Sequence, residues 1–179
     1  MKNTKSYFLF FLFVFCYQNA KSQTNEFDLE KIVIGDINND KVVDTAFVKG
    51  PKFLNDTDFY GDCNNGNCLI TVSFSCSFPS ITLENAVTGF VENIGDIDKD
   101  GISEIIIVPS WFIGCWGKVQ FFSLKKKKWK NLGSVKRHIC DQESFMNCIK
   151  KRKGKTIEVI EQVWIDGDVV EKPKIIAIK

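Results

Sequence analysis

The stretch Gly95-Asp96-Ile97-Asp98-Lys99-Asp100-Gly101-Ile102-Ser103-Glu104 has residue types and spacing suited to holding a metal ion. With Asp96 as position 1, acids fall at positions 1, 3, 5 and 9 and glycine at position 6. On a tightly turning backbone the odd positions aim their oxygens at one point, and the carbonyl of Ile102 at position 7 can join them. A hard cation such as Ca²⁺ takes about six to eight oxygens at roughly 2.3–2.6 Å, and this spacing supplies most of them. Two carboxylates about 4 Å apart repel by roughly 4 kcal/mol at an effective dielectric of 20, so a converged loop without a cation would spring open. The candidate ligands are Asp96, Asp98, Asp100, Ile102 and Glu104.

A related stretch lies sixty residues earlier, Gly35-Asp36-Ile37-Asn38-Asn39-Asp40-Lys41-Val42-Val43-Asp44. Its candidate ligands are Asp36, Asn38, Asp40, the carbonyl of Val42, and Asp44. Lys41 stands where the second stretch has glycine. A left-handed backbone there costs a non-glycine residue roughly 1 kcal/mol. Asn38 brings no charge, so the first site is expected to be the weaker. Both copies run into apolar, β-branched segments, which makes the pair an internal repeat.

The elements that must position these loops read as strands. Ile32-Val33-Ile34 enters the first loop and 42–48 leaves it. Leu69 to Ser75 alternates apolar and hydroxyl residues, as a half-buried strand does. The segments 81–83 and 88–93 are further candidates. Ile105-Ile106-Ile107-Val108 is continuously apolar, which predicts a strand covered on both faces and stopped by Pro109. The segments 118–124 and 129–135 form a hairpin about the lysine turn. One short helix is expected within 137–150. Asp166-Gly167 between 156–165 and 169–178 signals a type I′ hairpin. With period two nearly throughout, the class is all-β, with antiparallel sheets stacked or arranged radially.

Asp96-x-Asp98-x-Asp100-Gly101-x-x-Glu104 resembles the Asp-x-Asp-x-Asp-Gly-x-x-Asp loop of FG-GAP and VCBS-type repeats, found in integrin α-chain propellers and many secreted bacterial proteins. The resemblance covers the two loops and the strands after them, and by extension the hairpin 118–135. It implies propeller-blade-like antiparallel sheets in which the loop joins two strands of a blade and holds Ca²⁺. Two such repeats (32–48 and 92–108) fall short of a closed propeller, which needs about four blades or more. An EF-hand would need Glu at position 12 and a following helix, but that position is Ile107 in a β-branched run.

The chain of 179 residues opens with Lys2 and Lys5, an apolar run from Tyr7 to Tyr17, and Ala20-Lys21-Ser22. This pattern reads as a signal peptide over 1–22, followed by a single β-rich domain over 23–179. It points to a secreted or periplasmic protein, with cell-surface association open and no transmembrane span after cleavage. Beyond Cys16 the cysteines are Cys63, Cys68, Cys76, Cys115, Cys140 and Cys148, an even number that reads as disulfides. Cys63 and Cys68 bracket a turn sequence and are the easiest pair to bridge. Cys140 with Cys148 are near neighbours, which leaves Cys76 with Cys115.

Net charge is +2, but from Glu26 to Leu124 there are fifteen acidic and six basic residues, whereas Lys125 to Lys155 holds twelve basic and two acidic. Lys125 to Lys128 reads as a solvated hairpin tip, and 111–117, with Trp111 and Trp116, as packing around a disulfide. The alternative is a polyanion- or glycan-binding adhesion protein that uses both features. His138 is the only histidine, so a histidine-based triad or multi-histidine centre lacks material. A Cys140–His138 pair or a carboxylate-pair hydrolase is the remaining catalytic option. The reading is therefore a non-catalytic calcium-binding β-module whose partner is an extracellular protein or glycan and not a nucleic acid.

Overall fold

The computed structural model describes residues 29–51, 68–111, 114–140 and 144–178. The signal-peptide segment 1–22, Cys63 and most of the long loop before Cys68 lie outside them.

Among the described residues, eleven strands form three antiparallel sheets, none closed into a barrel. The first sheet is a meander of β1 (Glu30–Gly35), β2 (Asp44–Lys49), β3 (Leu69–Phe74) and β4 (Ile81–Glu84). The second repeats that path with β5 (Thr88–Gly95), β6 (Glu104–Ser110), β7 (Trp116–Lys125) and β8 (Lys128–His138). The third places β10 (Thr156–Ile165) between β11 (Asp168–Ala177) and β9 (Ile149–Arg152). Two successive four-stranded meanders are consistent with non-closed, blade-like sheets.

The middle sheet is buried on both faces, as the run 105–108 predicts. Ile105 and Ile107 pack with Ala46, Ile70 and Val72 of the first sheet. Ile106 and Val108 join Ile157, Val159 and Ile176 of the third. Each completely buried isoleucine contributes on the order of 1.5–3 kcal/mol, so β6 is the mechanical centre of the molecule. The strand does not stop at Pro109: it continues to Ser110, with Pro109 opposite Gly89 of β5. The β6–β7 ladder ends at the pair Ile107↔Gln120, so on that side proline interrupts nothing.

The two loops leave equivalent bulges. Register shifts between Val33 and Gly35 and again between Asn93 and Gly95, and the glycines pair with Asp44 and Glu104. Both glycines have positive φ, 71° and 83°, a backbone they adopt without the Cβ clash that other residues meet. The common Ile-Gly-Asp-Ile sequence is thus a strand, a bulge and the entry to an acidic loop. The first strand leaving a loop begins at Asp44, and Val42 and Val43 are exposed.

Asp166 and Gly167 take positive φ of 53° and 93° and join β10 to β11, the type I′ geometry expected. Lys126 and Lys127 do the same between β7 and β8 with φ of 50° and 61°. The expected helix within 137–150 is absent among the described residues there. His138 ends β8, Ile149 begins β9, and only a 3₁₀ turn, Met146–Cys148, lies between. Its buried Phe145 and Cys148 supply too few apolar contacts for an amphipathic helix face.

Two disulfide expectations are overturned. Cys115 pairs with Cys140, Cα atoms 5.0 Å apart, while Cys76 and Cys148 are free thiols. The hairpin register is the cause. Trp116 faces His138 at the open end of the ladder, and Ile139 N–H donates to Cys115 O just beyond it at 2.6 Å. Cys140 is thereby brought to Cys115 and kept from Cys148. Cys68 is disulfide-bonded.

Cross-linking residues 25 apart contributes on the order of 3 kcal/mol by the chain-entropy model. Cys115→Ser with Cys140→Ser should lower unfolding free energy by about 2–4 kcal/mol in denaturant titration. Burial, reinforced by the charge of Asp44, pushes the Cys76 thiol up to about 11 from 9.0. At pH 8 its alkylation should therefore run about 100-fold slower than that of an unperturbed thiol, because only the thiolate reacts. Mass-resolved labelling of Cys76 measures this.

Candidate metal centre

Each acidic loop is first held by its own backbone. In the second loop Asp96 accepts N–H bonds from Asp100 at 3.1 Å and Gly101 at 2.9 Å. Asp100 accepts one from Ile102 at 3.0 Å. Lys99 and Gly101 have positive φ, 64° and 89°, which turns the chain tightly enough for these bonds. Position 9 is a buried clamp. Glu104, 1% exposed, accepts from Ile97 N–H at 2.8 Å and from Ser123 Oγ–H on β7 at 2.9 Å. Burial raises its pKa, and the negative charge of Asp98 pushes the same way.

The first loop repeats this position by position. Asp36 accepts from Asn38, Asp40 and Lys41 N–H, and Asp40 from Val42 N–H. Asp44 is buried and accepts from Ile37 N–H at 3.1 Å and Ser75 Oγ–H at 3.0 Å. Asn39 and Lys41 take positive φ of 61° and 69°, so Lys41 occupies the strained backbone expected of it. The two loops touch: Ser103 N–H donates to Ile37 O at 2.9 Å.

Position 3 separates them. Asn38 uses its own amide to donate to Asp40 at 2.8 Å, so the first loop satisfies itself. Asp98 cannot do this. It is 5% exposed, and its Oδ1 is buried with no hydrogen-bond partner. Carboxylate oxygens of Asp96, Asp98 and Glu104 all lie within 4.8 Å of one another, and among the described residues they form the acidic group able to hold an ion. At that separation each ionised pair repels by about 3.5 kcal/mol at an effective dielectric of 20.

Part of this charge is met by Lys125 at the end of β7. Its ammonium bonds Asp98 Oδ2 and Asp100 Oδ2. Lys125 is therefore not part of a solvated hairpin tip, although Lys126 to Lys128 are exposed. Burial opposes both charges here, but the bonds to Asp100 and Asp98 outweigh it and raise the Lys125 pKa. For Asp100 burial acts upward, and the bonds from Lys125 and Ile102 N–H overcome it, so its pKa falls. One ammonium leaves Asp98 Oδ1 unmet.

The donor set, all oxygen and largely carboxylate, fits a hard divalent cation. Each carboxylate oxygen has a second lone pair, so the clamping bonds to Asp96 and Glu104 do not preclude ligation. Asp96, Asp98 and Glu104 are thus brought to one place, with Asp100 tied to Asp98 through Lys125, whereas Asp36 and Asp40 bond within their own loop and Asp44 clamps it to Ser75. The position-9 serine clamps and Lys125 escaped the sequence reading. The dipeptides Phe74-Ser75, at the end of β3, and Phe122-Ser123, within β7, were the available signal. Trp111 and Trp116 are each 40% exposed, so they are not the buried packing expected around a disulfide.

Comparison with protein-family models, curated proteins and solved structures yields no match.

For a divalent cation offered to this cluster, Lys125→Met should raise affinity at least tenfold, because the ammonium and such an ion contend for Asp98 and Asp100. In chelator the same variant should melt lower than the parent. Calorimetric titration with Ca²⁺ and thermal melts measure the two effects.

Proposed function

We propose that the chain is a secreted, non-catalytic β-module of the FG-GAP or VCBS type whose second acidic loop is closed by Ca²⁺. The observation that carries this reading is Asp98, whose buried Oδ1 lacks a partner inside a three-carboxylate cluster. Residues Asp96, Asp98, Asp100 and Glu104 would hold the ion, which would relieve their mutual repulsion and fix how β5 and β6 meet. Its task is structural. Extracellular modules bind calcium with Kd on the order of 10⁻⁴–10⁻³ M, which suffices where the ion is abundant.

An oxidising compartment is supported by the Cys115–Cys140 disulfide, since such bonds are rare in the cytosol. No helix among the described residues is long and apolar enough to cross a membrane. A non-catalytic role is supported by the state of the cysteine that a Cys–His pair would need: Cys140 is held in the disulfide beside His138.

Calcium should raise the melting temperature by several degrees, since at 100 times Kd binding stabilises by about 2.7 kcal/mol. Asp98→Asn, which gives the second loop the residue type of Asn38, should abolish most of that rise. Metal analysis by mass should find about one calcium per chain before chelation. A melting temperature indifferent to calcium would overturn the proposal.

A further inference from the structure

A second feature lies away from the acidic loops, where β7, β8 and β10 meet. In the β7–β8 ladder Trp116 stands opposite His138, and Lys118 stands opposite Lys136. Residues two apart share a face of a strand, so these four side chains lie together. From the third sheet Trp164 approaches Trp116, with ring centroids 5.6 Å apart and planes at 53°. An open groove of about 620 Å³ lies beside this ring pair, lined by both tryptophans, both lysines and Gln162.

Three observations make this groove unusual. Trp164 is 60% exposed and Trp116 40%, although the same sheets bury Phe121 completely. Lys118 and Lys136 are direct cross-strand neighbours of like charge, a destabilising arrangement. Neither ammonium takes part in an ion pair among the described residues, and no carboxylate lines the groove. The nearby Glu161 is engaged by Lys174 and by Lys136 N–H.

The walls are also held in place. Gln162 accepts from His138 N–H at 2.9 Å and donates to Glu171 at 3.0 Å, which ties the third sheet to the second. The Cys115–Cys140 disulfide closes the strand ends beside Trp116 and His138. The backbone beneath the groove is thereby fixed before a ligand arrives, which confines the ordering cost of binding to the side chains.

We propose that this groove binds an acidic sugar, a uronic acid residue of an extracellular polysaccharide. Its ring would lie against the indole of Trp164, the more exposed of the two, and its carboxylate would sit between the ammoniums of Lys118 and Lys136. Charge complementarity selects the anion, and an exposed indole face selects a ring with an apolar face. Two ammoniums match one carboxylate, whereas a nucleic acid backbone is met by a longer track of cations. The site differs from the lysine turn at 126–127 and from the acidic loops, so it stands independently of calcium binding.

The test is fluorescence and calorimetric titration of the purified protein with oligogalacturonate, oligoglucuronate and alginate oligomers, at low salt and in chelator. Chelator removes any bridge through calcium. Saturable binding to at least one oligomer is expected, with loss on carboxyl reduction of that sugar. Trp164→Ala and the double change Lys118→Ala with Lys136→Ala should each weaken it at least tenfold. Lys126→Ala with Lys127→Ala should leave it within twofold. Melting temperatures identify any misfolded variant, and Trp164→Phe, which keeps a flat ring, should retain most of the affinity. The proposal is overturned by no binding to any of the acidic oligomers, by equal binding of the groove variants, or by equal binding of an acidic peptide or single-stranded DNA.

Discussion

The buried carboxylate at position 9 of each acidic loop is the interaction on which the architecture turns. Asp44 and Glu104 each accept one N–H from the start of their own loop and one hydroxyl from a serine in, or immediately after, the third strand of their sheet. A charged group this deep is costly unless its oxygens are bonded, and each carboxylate meets that requirement with the same two partners. The result is a three-way joint between loop, returning strand and neighbouring strand. It sets the bulge at Gly35 and Gly95 and fixes where the remaining acids of the loop point.

From the same joint the two copies diverge through one side chain. Asn38 carries its own donor and bonds Asp40 within the first loop. Asp98 carries a second acceptor instead, and must look to Lys125 across the sheet for half of its needs. The substitution converts a self-sufficient turn into one with a standing demand for positive charge. A tethered ammonium meets that demand in part, and a divalent ion would meet it more fully because it can contact several oxygens at once.

Much of the fold was legible because burial leaves a periodic trace. The unbroken apolar run at 105–108 pointed to a strand covered on both faces, and the first and third sheets cover it. Asp166-Gly167 was readable because few residue pairs tolerate two left-handed conformations. The short helix expected within 137–150 misled: among the described residues there, buried Phe145 and Cys148 are too few to make an apolar stripe. Proximity in sequence misled for Cys140 and Cys148. The hairpin register, already visible about the lysine turn, carries Cys140 to Cys115 instead.

By itself the sequence determined the all-β class, the repeated acidic loops, the difference between Asn38 and Asp98, and the left-handed strain at Lys41. All of these depend on residue type and local spacing, where steric and hydrogen-bonding rules act over a few residues. Only the tertiary structure decided which distant groups complete each local pattern. Ser75 lies 31 residues from Asp44, Ser123 lies 19 from Glu104, and Lys125 lies 27 from Asp98. Trp116 and Trp164 come from different sheets. Such pairings follow from strand order and register, which are set by how three sheets share one buried strand and leave no short-range mark in the chain.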